Sequence, residues 1–425
     1  MMPSSNQPHE STVFRRIRRS GGGWAAWLAA AALLRSGPAA AQIDPHLRRV
    51  VQTGYTLPLH EYGPIAAYAF YYHNRPDFPR TNQTLRLALS PVYVDGELGF
   101  RELIGPQTDF AVGLAGGGFA DSYAELRRGN FFTGESFVGH GFEGSASVYH
   151  RFNPERRLPV FGILRASMHQ AFYAKNDDTA STFHVPDDQP DFRLRVGVQA
   201  GGRAPYLVPR LAGELKVVYD YEHRFNAGPY GFNGDRWLNA DTHRYWGRAL
   251  LAYTFPQTEH QFEVSLTAGG SVNADRFSMY QLGGSLPFIS EVPLYLPGYH
   301  LDEISADRFA LFAGSYVLPL WRESCWALTA YGAAGWVDYH SGFEQAGNFH
   351  SGAGGGILYR SRSRAWLLGV TYGYGFQAIR AEGGGQSVTF VLQYDVDADV
   401  KFHRAPFWKW KPKMFPKIWN GLLGR

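Results

Sequence analysis

Apolar and polar side chains alternate along most of the chain, and this period of two constrains the fold more than any other feature. In residues 191–200 every second side chain is apolar, namely Phe192, Leu194, Val196, Val198 and Ala200. Successive side chains of a β-strand point to opposite faces, so the pattern predicts a strand with one apolar face. The same alternation recurs in residues 85–90, 211–221, 261–268, 366–377 and 388–396. The chain is therefore expected to be all-β.

The length of these segments favours a closed barrel over a soluble two-sheet sandwich, the alternative in which a second sheet covers the apolar face. The segments are about 9 to 14 residues long, whereas strands of soluble sheets average about 5 to 6. Their ends gather Tyr, Trp and Phe, which prefer the membrane interface. In lipid only closure satisfies every backbone group of a sheet. We therefore predict a closed antiparallel transmembrane β-barrel.

Fifteen segments are candidate strands. Since bacterial single-chain barrels have even strand numbers, we expect sixteen strands, with the missing one in residues 46–60 or 122–136. The candidates are 65–73, 83–92, 93–104, 108–120, 138–152, 158–174, 191–204, 210–225, 242–255, 260–272, 308–320, 324–337, 352–361, 365–378 and 386–396.

The first 41 residues have the parts of an export signal. Four arginines at positions 15, 16, 18 and 19 precede an apolar stretch from Trp24 to Leu34, and Ala39-Ala-Ala41 follows. That stretch is too short to span a bilayer, so a cleaved signal peptide over 1–41 is expected, with an uncleaved anchor as the alternative. The expected order after it is a short periplasmic segment, 42–60, then the outer-membrane barrel, 61–397, and a tail, 398–425.

Charge is distributed unevenly along the chain. The net charge of +4 combines +4 in residues 1–41, −7 in residues 42–400 and +7 in residues 401–425. Because the basic residues lie at the two ends, nucleic acid is not an expected partner. The tail interleaves aromatics with lysines, which indicates contact with outer-membrane lipid or, alternatively, a disordered extension. Its membrane-interface candidates are Trp408, Lys409, Trp410, Lys411, Lys413 and Trp419.

Charged residues on the second face of the strands are expected to face a water-filled lumen. There they either pair with one another or, for Arg193 and Arg195, form a rung that attracts anions. The residues assigned to the lumen are Arg86, Arg193, Arg195, Glu214, Lys216, Asp220, Glu222 and Glu263.

Catalytic and metal-binding patterns are missing from the sequence. Cys325 is the only cysteine, so a Cys-based zinc site is excluded, and His60-Glu-Tyr62 lacks a second histidine at helical spacing. No Gly-x-Ser-x-Gly elbow occurs. We therefore expect no enzyme, no catalytic residue, no metal and no cofactor. The glycines at 113, 116–118 and 352–356 are expected to relieve crowding where barrel strands bend.

Residues 273–307 form a long connection without clean alternation, as functional loops often do. The connection contains Gln281-Leu-Gly-Gly284 and Leu296-Pro-Gly-Tyr299, and Ser315-Tyr-Val-Leu-Pro-Leu320 follows it in a strand. With five candidate strands after it, this region resembles the sixth extracellular loop and following strand of the Omp85 superfamily. Residues 373–380 and 387–394 resemble the last two strands of that superfamily.

The resemblance implies insertion or translocation of protein or lipid at the outer membrane. The alternatives are a passive diffusion pore and a structural or surface protein. The expected loop tip is Leu296, Pro297, Gly298 and Tyr299, but Pro297 stands where the family has an arginine, and Ala333 where it has the partner acid. An ion-pair latch between those two positions is therefore not expected, whereas Tyr299 is expected to dock the loop by stacking and one hydrogen bond. The family's periplasmic POTRA domains are not expected, because about 20 residues separate Gln42 from the first candidate strand; client capture is then expected to be absent or supplied by a periplasmic accessory protein.

Overall fold

The computed structural model describes residues 46–154, 158–286, 292, 294–321, 324–381 and 383–404. The expected signal peptide lies outside the described residues, as do the tail residues from 405 onward. Sixteen long strands form the wall: β1 (Arg48–Pro58), β2 (Ala66–Pro76), β3 (Gln83–Leu89), β4 (Tyr93–Gly105), β5 (Thr108–Gly117), β6 (Val138–Arg151), β7 (Val160–Ala174), β8 (Gln189–Gly202), β9 (Leu211–Arg224), β10 (Asp241–Thr254), β11 (Gln261–Val272), β12 (Ile304–Pro319), β13 (Trp326–Tyr339), β14 (Phe349–Arg360), β15 (Trp366–Arg380) and β16 (Gly383–Asp395).

Each strand pairs antiparallel with the next one in the chain, and β1 pairs with β16. The predicted closed antiparallel barrel and its count of sixteen strands are confirmed. The strand missing from the sequence prediction is β1, so the assignment of 42–60 to a periplasmic segment is wrong for residues 48–58. The long loop ends earlier than expected, because β12 begins at Ile304 and not at residue 308.

The two faces of the wall differ as the alternation predicts. On β9, Leu215 and Val217 point outward and are about 60% exposed, while Glu214 and Lys216 point into the lumen and are buried. Aromatic rings lie near the ends of the outer face, including Trp366 stacked on Tyr394 with centroids 4.4 Å apart. An apolar outer face and a polar inner face suit a barrel that stands in lipid and holds water.

The pair β1–β16 closes the barrel over nine register positions, from Val50 opposite Asp395 to Pro58 opposite Ser387. Polar side chains bridge this pair on the lumen side. Gln52 Nε2 donates to Gln393 Oε1 at 3.0 Å, and the hydroxyls of Thr56 and Thr389 lie 2.9 Å apart. We call this pair the seam, and we call the end of the barrel where Arg48 and Asp395 lie the terminal end.

Few other elements are present among the described residues. Helix α1 (Val396–Arg404) follows β16, and its Asp397 accepts from the guanidinium of Arg49 on β1 at 2.7 Å. Among the described residues, no helix combines the length and the apolar character that crossing a membrane requires. The short elements between the wall strands are the 3₁₀ turn Thr133–Glu135 and the strands Leu126–Arg127, Asn130–Phe131, Phe183–His184, Pro229–Phe232, Arg236–Trp237 and Tyr280–Leu282.

The outer face of β11 gives a test of which side meets lipid. Leu266 points outward near the middle of the strand, and the adjacent Ser265 points into the lumen. We expect Leu266→Arg to lower the free energy of unfolding by about 2–4 kcal/mol, because it places a charge in hydrocarbon. The measurement is guanidinium unfolding of the protein in lipid vesicles. Ser265→Arg is the control at the same depth, and an equal loss for both variants would contradict the assignment of the faces.

Candidate functional site

The long loop, residues 273–303, folds back into the barrel. Backbone bonds shape part of it into a hairpin, because Gly283 N donates to Leu294 O at 2.9 Å and Leu296 N donates to Gly284 O at 3.1 Å. Apolar loop residues pack on lumen-facing residues of β9, β10, β12 and β13 in one buried cluster. The loop members of this cluster are Tyr280, Leu282, Leu294, Leu296 and Tyr299. The loop therefore fills part of the lumen with packed apolar side chains.

The tip of the loop, Leu296–Tyr299, rests on four glycines of the last three strands. A Cβ atom at Gly352, Gly373 or Gly385 would collide with the backbone of Pro297 or Gly298, and one at Gly375 would lie 2.7 Å from the Tyr299 ring. Gly298 itself has a φ of +83°, which disfavours other residues. We call Gly352, Gly373, Gly375 and Gly385 the glycine cradle. The expectation that Gly352 relieves crowding at a bend is thus corrected, since it makes room for the loop.

A directed hydrogen-bond chain holds Tyr299, which is almost fully buried. The Tyr339 hydroxyl donates its only proton to Gly347 O at 2.8 Å, so it must accept from Nε2 of His350 at 2.6 Å. A neutral His350 with its proton on Nε2 has a free Nδ1, which can accept from the Tyr299 hydroxyl at 3.1 Å. Tyr299 also packs edge-on against the His350 ring, with the two centroids 5.7 Å apart.

A buried ion pair anchors the base of the loop. Arg380, at the end of β15, donates from both terminal nitrogens to the two oxygens of Glu303, at 2.9 and 2.6 Å. The exposed fractions of the two side chains are 2% and 0%. Glu303 also accepts from the backbone N of His300 at 2.7 Å. Bidentate geometry of this kind is the strongest form of protein ion pair.

Sequence reasoning missed this anchor. Positions 297 and 333 carry no charges: Pro297 sits on the cradle and Ala333 lies in the buried apolar cluster. Both members of the pair that does form lay in segments compared with the family, but 77 residues separate them. Only the folded position of the loop identifies Arg380 as the partner of Glu303.

Two titratable residues of the loop, His300 and Asp302, directly follow the tip. Burial, and then the nearby guanidinium of Arg380, lowers the pKa of His300 to about 4, so this ring is neutral near pH 7. Burial raises the pKa of Asp302 to about 6. Glu303 is the closest charged partner of Arg380, whose Nε also lies 4.0 Å from a carboxylate oxygen of Glu61.

Other loops cover the long loop at the end of the barrel opposite the terminal end. Glu125 is fully buried there and binds Arg236 of a second loop at 3.3 Å and Arg276 of the long loop. Asp275 of the long loop pairs with Arg224 of β9. Around these ions, Tyr123, Phe137, Phe183, Tyr230 and Leu238 form a second buried apolar cluster. The long loop is thus held on its outer side as well as in the lumen.

The eight charged residues assigned to the lumen lie on its wall, and seven of them form ion pairs, either within one strand or with a neighbouring element. The distances are Arg86–Asp95 3.4 Å, Arg193–Asp191 2.7 Å, Arg195–Asp220 2.6 Å, Glu214–Arg248 2.6 Å, Glu222–Arg224 2.7 Å and Glu263–Arg203 3.2 Å. Lys216 lies over the ring of Trp246, 5.1 Å from its centroid. Arg193 and Arg195 each have a carboxylate partner, which favours mutual pairing over an anion-attracting rung.

A cavity of about 1070 Å³ remains in the lumen beside the loop, lined by Arg86, Arg193, Arg195, Asp220 and Glu222, among others. No group of three or more His, Cys, Asp or Glu side chains that could hold a metal ion occurs in the part of the chain that the structure describes. The proposed membrane-interface residues of the tail, Trp408, Lys409, Trp410, Lys411, Lys413 and Trp419, lie outside that part.

Three solved structures match this barrel over most of the chain. CdiB from Acinetobacter baumannii matches with a TM-score of 0.52 and 11% identity over 82% of this chain and 60% of its own. CdiB from Escherichia coli matches with a TM-score of 0.53 and 12% identity over 83% of this chain and 63% of its own. BamA from Haemophilus ducreyi lacking POTRA domains 1-3 matches with a TM-score of 0.50 and 8% identity over 82% of this chain and 70% of its own. The chain has the fold of the Omp85 barrels. The expected resemblance is confirmed at this level.

These matches concern the fold alone, because the identities are low. The chain spans about 60% of the length of the A. baumannii CdiB chain. No protein-family model and no curated protein matches the sequence.

The anchor at the base of the loop can be tested by removing one charge or both. Arg380→Met leaves the Glu303 carboxylate buried without its partner, so we expect a loss of about 3–5 kcal/mol in the free energy of unfolding. The double variant Arg380→Met/Glu303→Leu leaves no unpaired charge and should regain most of that loss. Denaturant unfolding in vesicles measures both. If the double variant is as unstable as the single one, the pair does not act as a unit.

The glycine cradle can be tested at Gly385. Gly385→Ala would place a Cβ against the backbone of Gly298, so we expect the tip to leave its seat and the loop to become sensitive to protease. The measurement is limited trypsin digestion of the folded protein, with cleavage followed at Arg276. Gly144→Ala on β6 is the matched control, since its Cβ would have only ordinary contact with Leu114. Equal digestion of both variants would contradict the docking of the loop tip on the glycine cradle.

Proposed function

We propose that this chain is an outer-membrane barrel that transports or inserts protein or lipid, with the long loop as its internal gate. The observation that carries the proposal is the docking of Leu296–Tyr299 on the cradle, which occupies lumen space that a passive pore would leave open. The likeness of fold to CdiB and BamA supports a role of the Omp85 kind. The apolar outer face supports the outer membrane as its location, with outer-membrane lipid as its immediate partner.

The passive pore is the less favoured candidate. A diffusion pore needs a continuous aqueous path, whereas the seat of the loop is packed on glycines and apolar side chains and its anchor is a buried ion pair. A periplasmic accessory protein remains part of the proposal, because a client must be brought to the terminal end. The proposal includes no chemical step, so the barrel would act by changing its conformation.

The two candidates predict opposite results for the purified protein. A gated barrel should show little steady conductance in planar bilayers and should speed the assembly of a second barrel, or the transfer of lipid, in liposomes. The expected acceleration is about tenfold over liposomes without the protein, equivalent to a barrier lower by about 1.4 kcal/mol. The matched variant is Arg380→Met/Glu303→Leu, which removes the ion pair that anchors the base of the loop. Steady conductance of the unaltered protein, without acceleration of assembly or lipid transfer, would establish the pore instead.

A further inference from the structure

The turn between β8 and β9, residues 203–210, reaches across the lumen to the seam. Gln52 and Gln393, which face each other in the seam, both bind its backbone. Gln52 Nε2 donates to Pro205 O at 2.9 Å, and Leu207 N donates to Gln393 Oε1 at 2.7 Å. In a ring of sixteen strands, β8 and β9 stand opposite β16 and β1. The turn therefore spans the barrel near its terminal end.

The turn is also tied to its own side of the wall. Gln261 of β11 donates to Pro209 O at 2.6 Å, and Arg203 pairs with Glu263 at 3.2 Å. The Arg48 guanidinium of β1 lies 5.6 Å from the ring centroid of Tyr206. These contacts give the turn a fixed hinge at β11 and a polar contact at the seam.

The position of the turn places it on the route through the barrel. Pro205 lines the lumen cavity of about 1070 Å³. That cavity shares Tyr93, Glu143 and Arg193 with a second space of about 970 Å³ on the side of the covering loops. On its other side, Leu207 lines a small space together with Tyr295 and Pro297 of the long loop. A solute that passes beside the long loop meets the turn as the next obstacle.

The turn is held more weakly than the long loop. The long loop contributes five side chains to a buried apolar cluster and is anchored by a buried ion pair. Among the described residues, none of the buried apolar clusters includes a residue of the turn. Its two backbone bonds to the seam join neutral groups, which contribute modestly and exchange readily with water, and Tyr206 adds a contact with the Arg48 guanidinium.

We propose that residues 203–210 are a second gate, at the terminal end, which closes the lumen by binding Gln52 and Gln393 and opens by releasing them. This inference deepens the proposed function, because it names the segment that a client entering from the terminal end displaces first. Because the turn bridges β1 and β16, it also braces the closing pair. Release of the turn frees the lumen and loosens the seam together.

The test is single-channel recording of the full chain in planar bilayers with two variants. Gln52→Ala/Gln393→Ala removes both amide side chains that bind the backbone of the turn at the seam. Leu207→Pro removes the backbone N–H that binds Gln393 and lies in the turn rather than in the wall, so it serves if the first variant does not fold. We expect the frequency of openings to rise about tenfold in the first variant and about threefold in the second.

Gln199→Ala is the matched control, because Gln199 also faces the lumen from β8 but donates to Gly201 O within its own strand, at 3.0 Å. Its openings should equal those of the unaltered protein. The proposal is overturned if Leu207→Pro, folded as shown by heat-modifiable migration, opens no more often than the unaltered protein. A rise of the same size in Gln199→Ala would also overturn it, since it would indicate general loosening of the barrel.

Because this recording needs no client, it tests the second gate independently of the proposed function. Frequent openings in the variants, combined with no acceleration of barrel assembly or lipid transfer, would support the gate and refute the function. Normal acceleration combined with unchanged openings would refute the gate alone.

Discussion

The pairing of β1 with β16 is the contact on which the rest of this structure depends. Every other wall strand pairs with its neighbour in the chain, but this pair joins strands that are about 340 residues apart. Without it, two strands would present unpaired backbone groups, which hydrocarbon does not tolerate. The seam is accordingly reinforced from the lumen by Gln52–Gln393 and Thr56–Thr389, and beyond its end by Arg49–Asp397.

Closure creates a lumen, and the contents of that lumen distinguish this barrel from a simple pore. The long loop brings apolar side chains and one buried ion pair into the space, and it rests where glycines leave room for a backbone. The charged wall beside it is largely paired within itself. The interior is therefore divided into a packed side, where the long loop meets β9, β10 and β12–β16, and a cavity that is lined by residues of β1–β10.

The two segments that enter the lumen differ in how they are bound. The long loop combines apolar burial with a bidentate ion pair, and both interactions are strong when water is excluded. The turn 203–210 is bound at the seam by neutral hydrogen bonds and by the contact of Tyr206 with Arg48. A difference of this kind suits a firmly held gate and a second gate that opens more readily.

Alternation in the sequence predicted the class of fold and most strand positions, because an apolar residue at every second position shows which face of a strand meets lipid. The strand number followed from the even strand numbers of bacterial barrels. Alternation left β1 unassigned, because residues 46–60 were one of two places for the missing strand and residues 42–60 were expected to be a periplasmic segment. The position of the long loop was also predicted, since 35 residues without alternation interrupt a regular series of strands.

The partners of the loop were beyond the sequence. Glu303 and Arg380 are 77 residues apart, and Gln52 meets a turn 153 residues away. Neither separation has a periodicity that a linear pattern can reveal. The closed barrel follows from the sequence, because apolar and polar residues alternate within each strand and so define its two faces. The contents of the barrel and the contacts of its closing pair are visible only in the folded structure, because they join segments that are far apart in the sequence.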